Sequence, residues 1–189
     1  MKKAFTVVEV TFLFLIFLTI ACLVVPISID DTNQIKNVSS WKRVHSYFLN
    51  LYVSSDIDKN TTLEQIVMNS VRDYLGEPVK PYKIKFMNND PVDELYQFET
   101  LNELTKGGVI GFKWIKGKDN RVYGLMLFDA NGKKGPNVWG KDVFGLSIYN
   151  KGLEPFGKND SISVQRSDCS KYGRGISCSH YYLIGENYE

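Results

Sequence analysis

Histidine is nearly missing from this chain of 189 residues: there are two, His45 and His180, far apart in sequence. Neither belongs to a nucleophile or metal motif, so acid–base and metal-assisted catalysis find no foothold and the chain is not expected to be an enzyme. A glycine-rich phosphate loop is also missing. There is no C-x-x-C pair and no His or Cys at zinc-finger spacing, which argues against structural zinc. The net charge of +2 lacks the strongly basic stripe of a dedicated nucleic-acid binder, and the lysines between Lys133 and Lys141 read as a solvated loop. No internal repeat or low-complexity tract is evident. The last absence is local. From Val10 to Ile29 there is no charged side chain, whereas charges occur throughout the rest.

That uncharged run holds only Thr11, Thr19 and Ser28 as polar side chains, plus Pro26. As a helix it would be about 30 Å long, the thickness of a bilayer's hydrocarbon core. Lys2 and Lys3 predict that the N-terminus stays cytoplasmic, with the rest of the chain outside. A secretory signal peptide has a shorter apolar core and no carboxylate such as Glu9 at its leading edge. A lipoprotein signal acylated at Cys22 behind Ala21 would want an aliphatic residue at Thr19. It would also turn polar after Cys22, where Leu23, Val24 and Val25 continue the run.

Lys2-Lys3-Ala4, then Phe5-Thr6-Val7-Val8-Glu9, then a long apolar helix, resembles the leader of type IV pilins and type II secretion pseudopilins. The resemblance covers about the first 30 residues. It implies cleavage between Ala4 and Phe5 by prepilin peptidase, methylation of Phe5, and retention of the apolar segment as an assembly helix. Ala4 departs from the glycine usual before the cut. Glu9 takes the place of the family's assembly carboxylate, and Pro26 that of a helix-bending proline. Phe5 and Glu9 share a helix face, so the freed amine can meet the carboxylate in the same chain or a neighbour; the bland alternative is a glutamate at headgroup level. The implied partners are like or related pilin subunits, the peptidase, the inner-membrane assembly machinery and membrane lipid, with no nucleic acid indicated. The implied location is the inner membrane, single-pass, with a periplasmic or extracellular head that later joins a filament.

The expected fold class is α+β, a long N-terminal membrane-spanning helix packed on a small antiparallel sheet, pilin-like. The domains expected are a leader over 1–4, an assembly helix over 5–29, its amphipathic continuation over 30–53 and a globular head over 54–189. Ile35, Val38, Trp41, Val44, Phe48 and Leu51 recur at helical spacing. Thr61-Thr62-Leu63-Glu64 reads as a capping box before a second helix that carries Leu63, Ile66, Val67, Val71 and Tyr74 and ends at Gly76. Val109 to Ile115 and Arg121 to Phe128 read as a hairpin, with Ile110, Phe112 and Trp114 on one face. Asp142 to Tyr149 reads as another strand, with Phe144, Leu146 and Ile148 on one face. A final strand is expected from His180 to Ile184.

Two features of the head carry chemistry. The loop from Asp129 to Asp142 gathers oxygen donors at Asp129, Asn131, Asn137 and Asp142, a set that could collect around Ca²⁺. No acidic residue stands where an EF-hand needs its twelfth ligand, and a tight Asn-Gly turn with a Gly-Pro bend explains the same residues without metal. No cofactor is required. Cys169 and Cys178 flank a short polar stretch and read as a disulfide on an exported domain, the alternative being two free thiols; Cys22 passes as a small hydrophobe. Three functions stay open: a structural subunit of a pilus or secretion pseudopilus, a minor pilin whose head is a tip binding module, and an anchored periplasmic domain of unrelated role.

Overall fold

The computed structural model describes residues 7–54, 62–105, 107–117 and 122–185. Helix α1 spans Val7–Ser54, and the chain divides into two units, Met1–Lys36 and Asn37–Glu189. The last turns of α1 therefore belong to the second unit, not to the first. Ile35, expected on the packed stripe, lies on the other side of this division and is 69% exposed.

The expected fold class is corrected at its membrane-spanning helix. Among the described residues no helix is long and apolar enough to cross a membrane. The apolar stretch of α1 with described side chains, Val7–Cys22, already contains Glu9.

The second unit is built on one six-stranded antiparallel sheet in strict chain order. Its strands are β1 (Leu75–Val79), β2 (Leu101–Leu104), β3 (Val109–Lys116), β4 (Val122–Asp129), β5 (Val143–Tyr149) and β6 (Gly152–Pro155). The hairpin β3–β4 pairs Val109 with Asp129 and Lys116 with Val122, and β4 pairs Phe128 with Phe144. Because side chains alternate across a strand, this register sorts apolar residues onto two faces. Ile110, Met126, Phe128, Phe144, Leu146 and Ile148 face one core, which also holds Trp41 and Phe48 of α1 and Val67 and Val71 of α2 (Leu63–Val71). Val109, Leu125, Leu127 and Val143 face the other, closed by Phe86, Phe98 and Trp139 from the loops. Each fully buried large side chain contributes about 2–3 kcal/mol of transfer free energy.

Three local expectations shift. The capping box is formed by Thr62 and Gln65, whose side chains each bond the other's backbone N–H, one residue later than expected. Gly76 is a residue of β1 and not the end of a helix, because α2 gives way to a 3₁₀ turn over Arg72–Tyr74. The expected strand from His180 to Ile184 is instead the end of a short helix α4 (Cys178–Tyr181) and a following turn. Backbone bonds from Tyr181 N to Ser177 O and from Tyr182 N to Cys178 O take up the donors a strand would have offered. A further helix, α3 (Ile162–Asp168), begins at a Ser161 cap.

Candidate functional site

In the first unit the early turns of α1 form an exposed surface. Every residue from Val7 to Ile20 is exposed, and from Val10 onward no side chain on any side of the helix is charged. Phe12, Phe14 and Phe17 are each at least 60% exposed. Thr11 and Thr19 do not interrupt this surface, since their hydroxyls donate to the carbonyls of Val7 and Ile16 in their own helix. Glu9 lies in the first turn, where a carboxylate favours the positive end of the helix dipole. Ala4, Phe5 and the side chain of Pro26 lie outside the described residues. Cys22 is an exposed free thiol.

In the second unit the structure brings Asp129, Asn131, Asn137 and Asp142 into one closed loop after β4. Both aspartates are fully buried. Asp129 Oδ1 accepts the backbone N–H groups of Asn131 and Gly132 at 3.1 and 2.8 Å, and its Oδ2 accepts the Tyr82 hydroxyl at 2.6 Å. Asp142 accepts the N–H groups of Asn137 and Val138 at 2.8 and 2.7 Å. The loop is thus held from both ends by carboxylates. Positive φ at Gly132 and at Asn137 gives the turn its shape. Burial pushes Asp129 up to about 7; the Tyr82 hydroxyl and two backbone N–H groups oppose the shift, and the neighbouring Asp142 charge adds to it. Burial also raises Asp142, against the N–H groups of Val138 and Asn137.

The donor chemistry decides how well this loop suits Ca²⁺. Every carboxylate oxygen of the pair already accepts at least one hydrogen bond from the protein. Among the four expected ligands, the side-chain oxygens of Asn131 and Asn137 are the buried atoms without a partner. Among the described residues no group of three or more acidic, His or Cys side chains is placed to hold a metal. The set as it stands fits a self-fastened loop better than a cage of six to eight oxygens.

Cys169 and Cys178 are joined as a disulfide, with Cα atoms 5.3 Å apart. Asp168 fastens the enclosed loop by accepting Arg174 N and Ser177 N at 2.9 and 2.7 Å. The Arg174 guanidinium lies over the rings of Phe86 and Tyr96 and pairs with Asp93. This loop presses on the previous one. A Cβ at Gly140 would stand 2.7 Å from Cys178 Sγ, and one at Gly175 would stand 2.1 Å from the Trp139 carbonyl oxygen.

The two histidines belong to this side of the unit. His180 Nδ1 meets Gln165 Oε1 at 3.1 Å, and His45 Nε2 is buried without a partner. Burial lowers both, His45 further through the His180 charge and His180 through Lys158. Sequence reading singled out the four loop residues and the disulfide pair, and only the disulfide is formed as expected. It missed Tyr82, whose bond to Asp129 links residues 47 apart, and Asp168, whose role rests on two backbone donors. No spacing rule signals such tertiary bonds. Comparison with protein-family models, curated proteins and solved structures finds no match to this chain.

Proposed function

We propose that the chain is a structural subunit of a filament of the type IV pilus or type II secretion pseudopilus kind, packed through the early turns of α1. The observation that carries this reading is the helix surface from Val10 to Ile20, uncharged on all sides and exposed throughout. A helix that is hydrophobic all round is stable when surrounded by other apolar groups, and like helices of neighbouring subunits supply them. Glu9, at the start of this surface, pairs with the amine freed by cleavage before Phe5 in a neighbour and sets the axial register. Prepilin peptidase and the filament assembly machinery are the partners that reading requires. The buried disulfide suits a head that works in an oxidising, periplasmic or extracellular space.

Two measurements test the proposal. Mass spectrometry of the mature N-terminus is expected to give a chain starting at N-methylated Phe5; a chain starting at Met1 would count against it. The Glu9→Ala variant is expected to be expressed and folded but absent from sheared filaments, and unaltered assembly would sink the reading.

A further inference from the structure

A cleft of about 350 Å³ opens in the second unit where α1 passes the end of the sheet. Its volume lies within the range of small-molecule sites. Phe48, Val71, Leu104 and Phe128 form an apolar floor and walls. Tyr47 and Tyr74 close one end, their rings edge to face at 4.9 Å. Burial raises the Tyr47 hydroxyl above the ordinary tyrosine range, with Tyr74 and then the Asp73 charge adding to the shift, so that end is neutral and backed by a negative charge. Ser40 and Arg43 line the cleft from α1, the guanidinium donating to the Ser40 hydroxyl at 3.2 Å. Arg43 is the one charged side chain lining the cleft among the described residues, and no carboxylate lines it.

We infer that this cleft binds a fatty carboxylate, its chain on Phe48, Val71, Leu104 and Phe128 and its head on Arg43. The charge pattern selects this occupant. An apolar trough with one cation among its described lining residues suits a single-chain anion. A cationic amphiphile would meet Arg43 as a like charge, and an anionic head at the tyrosine end would meet Asp73. A wholly apolar ligand would leave the guanidinium without an anionic partner.

The test uses the full chain and a photoactivatable decanoate, with cross-linked peptides mapped by mass spectrometry. Position matters, because the exposed early turns of α1 will also attract an alkyl chain. Labelling is expected on the segments holding Tyr47 and Phe48 and on those holding Val71 and Tyr74. Decanoate should compete with it and decan-1-amine should not. Arg43→Gln should weaken labelling of the cleft by roughly tenfold, the scale of one charge-assisted contact, while leaving the Val7–Cys22 label unchanged. Arg43→Lys should keep most of it, and Thr105→Trp, at the exposed rim, should block it. Labels confined to Val7–Cys22, equal competition by the amine, indifference to Arg43→Gln, or cross-links from the cleft to a second copy of the chain would each overturn the proposal.

Discussion

Trp41 Nε1 donates a 2.8 Å hydrogen bond to the carbonyl of Ser179 across 138 residues of sequence, and both residues are fully buried. The indole also stacks on Phe144 at 5.6 Å and on Phe128 at 6.4 Å. One side chain of α1 is thereby tied at once to the sheet and to α4. Trp41→Phe keeps most of the apolar body and leaves a buried carbonyl without its donor, a loss of about 1–3 kcal/mol. Trp41→Ala adds a cavity and should lose about 3–5 kcal/mol. Urea unfolding followed by tyrosine fluorescence measures both, and a Trp41→Phe variant as stable as its parent would mean that the hydrogen bond contributes nothing.

Removing the disulfide should be felt as stability rather than as shape. The bridge closes a separation of nine residues, for which loop entropy gives about 2–3 kcal/mol. The paired change Cys169→Ser and Cys178→Ser should lower the free energy of unfolding by that amount. Reductant should then destabilise the parent protein alone. A variant as stable as its parent would mean that the Asp168 bonds to Arg174 and Ser177 fix the loop by themselves.

Asp142→Ala strips the acceptor from two backbone N–H groups, Asn137 and Val138. Leaving two donors unmade in a buried loop costs about 2–6 kcal/mol, whereas Asp142→Asn keeps one acceptor and should lose about half as much. Because the loop is fastened by these bonds, millimolar Ca²⁺ against chelator is expected to leave the melting temperature unmoved. A rise with Ca²⁺ would show that the oxygens of Asn131 and Asn137 have found a cation.

Two buried groups pull stability in opposite directions between about pH 4 and 7. His45 has a folded pKa below its ordinary 6.5. Its contribution is present above 6.5 and is lost as pH drops through the folded value, since the unfolded chain takes up the proton first. Asp129 runs the other way. Its folded pKa is raised from 3.8 to about 7, so its contribution is whole below about 4 and is lost as pH rises toward 7. Asp142, also raised, acts in the same direction. Melting curves across this range should show stability falling more steeply with rising pH in His45→Gln and less steeply in Asp129→Asn. Unchanged slopes in the two variants would assign the dependence to other groups.

What could be read in advance depended on periodicity. The alternation of Ile110, Phe112 and Trp114 survives into β3 because both neighbours of that strand are antiparallel and one face is packed by α1. Trp41 and Phe48 kept helical spacing for the same reason. Strand β1 was illegible because Gly76 and Pro78 break the pattern, as an edge strand permits. The run from His180 to Ile184 is apolar in a way that suits a buried helix as well as a strand. The apolar length before Asp30 was legible, but not its extent as a membrane element. The cleft beside Arg43 was beyond reach, since its lining comes from α1, α2, the turn after it and two strands that meet only in three dimensions.

The strand order carries a consequence for how the chain comes into being. Each strand from β2 to β6 hydrogen-bonds to the one made just before it, so a chain emerging with its N-terminus first can extend the sheet one strand at a time. None need wait for a later one to arrive. Trp41 is one exception. Its acceptor on Ser179 is among the last residues produced, so the indole must stay uncommitted through nearly all of synthesis. A chain stalled before α4 would therefore hold a nearly complete sheet with Trp41 still unlatched, the kind of half-made form on which a chaperone or protease can act.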